Sequence, residues 1–358
     1  MWALNSITSF DQVAHIALWT GQISLLTAIA IFFFIAFLRA RLKFRQKLAA
    51  DLINAWRPVL AEIAFSEKDL HSAALPVVKK RDRTLFLRQW CTVQETLSGD
   101  ASSRLNEMAR GLGLDILARQ MLGHRRLNMR LLATVVLGHM RNAEAWLPVW
   151  QELDSQNTLL SLISARALMQ ISPSRAIPEL IARIPIRQDW PDGRVASILT
   201  AAGQENIEEP LRVALATAIP EHAISLLKFV PIIPVPSIDE LVSTILGNAT
   251  DPALIAACLK VLRIPNQLPL ARKLATHKEW FVRVLAIKFL GQTGTAQDTD
   301  SIIRALTDTE WWVRYRAAQA LCQCPWISLD NLRSIQRQQS DKFAHDILEQ
   351  VISEASYC

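Results

Sequence analysis

Three ten-residue stretches of this chain fall into register, and they restrict its fold more than any other feature. They read MRLLATVVLG at Met129–Gly138, VRVLAIKFLG at Val282–Gly291 and VRYRAAQALC at Val313–Cys322. Each opens on an apolar residue followed by Arg, then places Ala at the fifth position and Leu at the ninth. Arg130, Arg283 and Arg314 therefore correspond, as do Ala133, Ala286 and Ala317, and Leu137, Leu290 and Leu321. The last two copies lie 31 residues apart, and Leu137, Leu168 and Leu199 repeat that interval. A helix this short buries one apolar stripe and is marginal alone. A period of this length therefore predicts helix–turn–helix units stacked into an α-solenoid.

Ser301–Cys324 is the clearest unit. Its first helix carries Ile302, Ile303 and Leu306 inward, Thr307–Glu310 make a polar turn, and its second helix carries Val313, Ala317, Ala320 and Leu321 inward. Weaker copies lie at Glu221–Lys228 and Ala253–Leu262. Prolines 173, 178, 191, 210, 220, 236, 252 and 269 are expected at helix starts, where a missing N–H costs nothing. Pro231–Pro236 (PIIPVP) reads as an extended crossover, since it is unfit for a central strand. Leu329–Ile352 reads as a polar-sided terminal helix pair, and no stretch alternates as a strand would.

Ile16–Leu38 is 23 residues without a charge, long enough to cross a hydrocarbon core of roughly 30 Å. Thirteen of them are Leu, Ile or Phe, contributing roughly −4 to −8 kcal/mol towards insertion. A cleaved signal peptide fits poorly: the run is too long, no basic segment precedes it and no small-residue cleavage site follows. Arg39, Arg41, Lys43, Arg45 and Lys47 follow instead. They are expected at the membrane surface, holding this end in the cytoplasm and leaving the N-terminus outside.

The net charge of +6 is unevenly placed. Residues 39–130 carry 18 Lys/Arg against 9 Asp/Glu, whereas residues 131–358 carry 21 against 23. The basic surplus follows the apolar span, and the repeat region has none, which argues against nucleic acid as partner. Five scattered cysteines make no disulfide framework; Cys258 and Cys322 sit in apolar helical runs and read as core. No phosphate loop, zinc-protease, esterase or dinucleotide motif is present. No two histidines are spaced to bind a metal from one helix. The residues thus imply no catalytic group, no cofactor and no metal.

The repeated pattern, best over residues 268–324, resembles short bacterial HEAT repeats of the kind found in phycobilisome-lyase-like proteins. That resemblance implies an all-α fold, an α-solenoid of HEAT-like helix pairs preceded by one transmembrane helix, and an interaction role. The resemblance carries no reaction; the alternatives, ranked below the interaction role, are nucleic-acid binding, as in HEAT-like DNA glycosylases, and a chromophore-lyase-like enzyme. The expected organisation is an extracytoplasmic N-terminus (1–15), a transmembrane helix (16–38), a basic juxtamembrane stalk (39–65) in which Pro58 kinks or restarts the helix, and a helical cap region (66–123) opening with a break at Ser66–Pro76. The repeats with their capping helices follow (124–358). The expected function is that of a membrane-anchored cytoplasmic scaffold for a membrane-associated protein partner, such as an inner-membrane enzyme or secretion assembly.

Two successive turns repeat Glu-Trp-aromatic-Val-Arg, at Glu279–Arg283 and Glu310–Arg314. Adjacent helical residues diverge by about 100°, so each aromatic pair can bury only one member. Trp280, Trp311 and Trp312 are the candidate anchors for a partner. Arg283 and Arg314 are the candidate basic contacts, with a structural alternative in which they staple the turns of adjacent repeats, together with Asp308.

Overall fold

The computed structural model describes residues 2–65, 78, 79, 82–233 and 236–356; at 2–18, 45, 48, 49, 236, 237, 355 and 356 only the backbone is described. The break expected at Ser66–Pro76 lies outside the described residues. All regular structure is helical, with no strand among the described residues. The chain divides into two compact units, residues 1–120 and 121–358.

The first unit begins with α1 (Trp2–Phe65), one helix of 64 residues. It does not restart at Pro58, which lies inside it. Trp19–Phe44 of α1 is long and apolar enough to cross a membrane, and none of that window is buried. Within it, the Thr27 hydroxyl donates to the carbonyls of Ile23 (2.8 Å) and Ser24 (2.9 Å), so its polarity is satisfied within the helix. The far end of α1 is different in kind. Trp56, Leu60, Ile63 and Ala64 make a buried stripe at helical spacing. It packs on α2 (Arg83–Gln94) and α3 (Gly99–Gly111), with the Trp56 ring 4.5 Å from that of Phe86. The Arg104 guanidinium donates to the Ala64 carbonyl at 2.6 Å, tying α3 to the end of α1. Helix α4 (Leu114–Leu122) begins in this unit.

The second unit is a solenoid of short helices: α5 (Leu127–His139), α6 (Trp146–Leu153), α7 (Thr158–Ile171), α8 (Pro173–Arg183), α9 (Asp192–Thr200), α10 (Gln204–Thr217), α11 (Pro220–Leu227), α12 (Pro236–Asn248), α13 (Pro252–Val261), α14 (Leu268–Leu274), α15 (Trp280–Thr293), α16 (Thr299–Ala305), α17 (Trp311–Gln323), α18 (Leu329–Gln338) and α19 (Lys342–Ser356). Odd-numbered helices pack on odd-numbered ones in one layer, notably α5 on α7, α13 on α15, α15 on α17 and α17 on α19. Even-numbered helices form the second layer, with α8 on α10 and α10 on α12. The repeated positions behave alike. Ala133, Ala286, Ala317, Leu137, Leu168, Leu199, Leu290 and Leu321 are all fully buried.

Two expectations about proline need correction. Pro178 and Pro210 lie inside α8 and α10 rather than at helix starts. An interior proline costs roughly 3 kcal/mol. Each helix still carries a buried stripe across its proline, Ile177, Leu180 and Ile181 in α8 and Ile207, Leu211 and Leu215 in α10, and that burial outweighs the lost bond. The crossover expected at Pro231–Pro236 is not extended throughout: Val230–Ile232 is a 3-10 turn, and residues 234 and 235 lie outside the described residues.

Within the odd-numbered layer, successive helices approach each other closely at glycine. A Cβ built on Gly291 would lie 2.6 Å from the Ala320 Cβ, and one on Gly138 would lie 2.8 Å from the Ala167 Cα. In both cases the last glycine of one motif abuts an alanine of the next odd-numbered helix. Gly291→Val is expected to force α15 and α17 apart at a cost of about 1–3 kcal/mol. The thermal midpoint of the full chain, followed by circular dichroism, should fall; an unchanged midpoint would contradict this packing.

Candidate partner-binding face

The turns that lead into α15 and α17 are built alike. The His277 Nδ1 accepts from the backbone N–H of Glu279 (3.1 Å), and the Asp308 carboxylate accepts from that of Glu310 (2.9 Å). Each helix then opens on tryptophan, with Glu279 or Glu310 extended at its N-cap. Val282 and Val313, the first core residues, are buried.

The aromatic residues before those valines stay outside. Trp280 is 41 % exposed, Trp311 43 % and Trp312 56 %, while Phe281 is half-buried. In the first pair phenylalanine turns inward; in the second, neither tryptophan is buried. The rings are nevertheless ordered against each other. Trp311 meets Trp312 edge-on with centroids 4.8 Å apart and stacks flat on Tyr315 at 5.0 Å. The Tyr315 hydroxyl donates to Glu354 on α19 at 3.0 Å. This gives a partly rigid aromatic cluster, of the sort that supplies contact area at low entropic cost.

The two arginines do structural work. Arg283 donates through Nε and Nη2 to both carboxylate oxygens of Asp308, at 2.7 and 2.6 Å, in a bidentate fork. Its Nη1 donates to the carbonyls of His277 and Lys278 in its own turn. Arg283 thus staples its own turn to the next. Arg314 makes the same bonds to its own turn, to the carbonyls of Asp308 (2.7 Å) and Thr309 (3.2 Å). Arg130, the third in register, pairs with Glu152. Burial pushes the Asp308 carboxyl up, but Arg283 and the Glu310 amide pull harder and leave it below the ordinary aspartate range. Asp298 behaves in the same way: burial raises it, and Arg272 with Thr295 brings the net shift below the usual value.

Two further residues belong to this face and were not singled out by spacing: Tyr315, which stacks on Trp311, and Phe343, which is 67 % exposed at the start of α19. Both lie in register with the motif, one two places after its opening residue and one immediately before it. Of the residues expected at the membrane surface, Arg39, Arg41, Lys43 and Lys47 are exposed on α1, while the Arg45 side chain lies outside the described residues. Burial pushes the Cys91 and Cys258 thiols up to about 12. His345, Asp346 and Glu349 bring potential ligand atoms within 4.8 Å of one another, but on a solvated stretch of α19 with nothing to enclose an ion.

A family model describing HEAT repeats matches residues 238–322, from α12 through α17. That stretch of the chain is similar to HEAT repeats. The candidate residues Trp280, Arg283, Trp311, Trp312 and Arg314 all lie within the matched HEAT repeats. No curated protein matches the chain. Among solved structures, a chain of the complex of CpcE and CpcF of phycocyanin lyase from Nostoc sp. PCC7120 is 18 % identical, with 66 % of this chain and 94 % of that chain covered at a TM-score of 0.30. An engineered protein is 11 % identical, with 83 % and 98 % covered at a TM-score of 0.32. Likenesses this distant carry no argument about what these HEAT repeats do.

Proposed function

We propose that this protein is a membrane-anchored adaptor whose HEAT repeats hold a protein partner at the membrane. In this reading residues 16–38 cross the inner (cytoplasmic) membrane once. The N-terminus lies outside and the repeats lie in the cytoplasm. The charge-free length of the span and the run of basic residues directly after it support that orientation. The partner would be a membrane-associated protein, such as an enzyme or secretion assembly embedded in the same bilayer. One anchor raises the effective concentration of the repeats for such a partner without any new contact. The protein would hold no cofactor and catalyse no reaction. In support, Arg283, Arg272 and Arg183 are engaged with carboxylates across the repeats, a structural use.

The observation that carries this reading is the exposure of Trp280, Trp311 and Trp312 at two successive turns. Tryptophan is the residue most enriched at interface hot spots, where truncation costs about 2 kcal/mol or more. The test is capture from detergent-solubilised membranes by the full chain, compared with Trp280→Ala and Trp312→Ala. Each substitution is expected to lower recovery of the true partner by roughly tenfold or more. If every captured protein is recovered equally by all three chains, the anchor role is wrong.

A further inference from the structure

The arginine staple is interrupted at its last step. Arg283 holds its own turn through two carbonyls and reaches forward to the Asp308 carboxylate of the next turn. Arg314 holds its own turn identically, yet among the described residues it meets no carboxylate. Its Nε is buried without a hydrogen-bond partner. Helix α19 begins 31 residues after α17, so the position that follows Asp308 in the repeat is residue 339, which is glutamine. The Gln339 carboxamide turns away and donates to the Ile335 carbonyl at 3.1 Å. The neighbouring acid, Asp341, is already engaged in accepting from the Ala344 N–H at 2.9 Å.

A buried guanidinium nitrogen without an acceptor is costly, and a carboxylate is its natural complement. What stands nearby is aromatic. Phe343 places its ring 5.5 Å from the Arg314 Cζ. Phe343 is exposed, so swinging it aside sacrifices little packing. Resting on the adaptor reading above, we propose that Arg314 receives a side-chain carboxylate from an acidic segment of the protein partner, in the place that Asp308 takes on Arg283. Phe343 borders the socket and shields the ion pair from water, which strengthens it. The partner segment is then one that carries Asp or Glu beside apolar residues.

This predicts an internal blocker. Gln339→Asp restores the staple, placing a carboxylate of this chain where the partner's would sit. The test uses the full chain in detergent micelles against a random dodecapeptide display library, with Gln339→Asp, Arg314→Gln and Trp280→Ala/Trp312→Ala as comparisons. The selected peptides are expected to share Asp or Glu, and to lose about tenfold or more in affinity for both Gln339→Asp and Arg314→Gln. Gln339→Asp should melt no earlier than the parent chain, which separates blocking from unfolding. Replacing the peptide acids by Asn or Gln should have the same effect as either variant. If peptides bind Gln339→Asp and Arg314→Gln as well as the parent but are lost with the tryptophans, the carboxylate socket is wrong and the adaptor face stands. If peptides bind all the chains alike, or none is enriched by the parent chain, the socket and the face both fall.

Discussion

Placing arginine at both Leu26 and Ile29 is expected to release the protein from the membrane. Both residues are exposed near the middle of the charge-free run of α1. An arginine at the centre of a spanning helix costs about 2.5–3.5 kcal/mol on the insertion scale, so two cost about 5–7 kcal/mol. The apolar residues of Ile16–Leu38 supply roughly −4 to −8 kcal/mol, and the substitutions also remove two of them. The balance is then near zero or unfavourable. Extraction at alkaline pH should leave the parent chain in the membrane pellet and move the double variant to the supernatant. The thermal midpoint of the repeats should be the same in both. A double variant that still sediments with membranes would remove the anchor from the proposed function. It would leave the repeat face untouched.

Leu290→Ala should be the most damaging single truncation in the second unit. Leu290 is fully buried, and its helix packs on α13, α14, α16 and α17. Leucine-to-alanine changes in cores cost about 2–5 kcal/mol, more when the surroundings cannot close the void. Here they are poorly placed to do so. The next residue, Gly291, already holds α15 against Ala320 of α17, and neither has a side-chain torsion that could fill space. In a stacked array each unit leans on its neighbours, so the loss should spread to α17 and α19. Amide hydrogen exchange should therefore quicken in all three helices, while α5 and α7 keep their protection. A uniform loss along the whole unit would show instead that the repeats unfold as one block.

How legible was this fold in the sequence? The 31-residue interval was enough to locate α5, α7, α15 and α17, because burial of one Leu and one Ala per unit enforces it. Where burial does the enforcing, spacing shows it. The prolines at 178 and 210 misled for the converse reason: a local rule about proline was overruled by apolar stripes on both sides of it. Of the two readings of Pro58, a kink or a restart, the restart does not occur: Pro58 lies inside α1. The tryptophan pairs were only half legible. They precede the first buried residue of each helix, where no core contact sets the rotational phase, and both Trp311 and Trp312 remained outside. The staple was legible as a pattern of Arg and Asp, but its directions were not. Only the coordinates show that Asp308 serves the arginine behind it and its backbone serves the one ahead. The glycine contacts are not legible from spacing alone, although Gly138 and Gly291 stand at the tenth place of two of the three stretches that define the repeat.

The unbroken course of α1 has a geometric consequence for its own unit. The stripe that packs on α2 and α3 begins at Trp56, and the charge-free run ends at Leu38. Seventeen residues of helix lie between them, and the eighteen rises from Leu38 to Trp56 span about 27 Å along the axis. With no loop to absorb a change, both height and azimuth are inherited from the residue count. One inserted residue in this stretch would raise Trp56 by about 1.5 Å and swing it by about 100° around the axis. The segment Arg39–Ala55 therefore acts as a spacer of set length and set phase: its chemistry can vary widely, but its number of residues cannot.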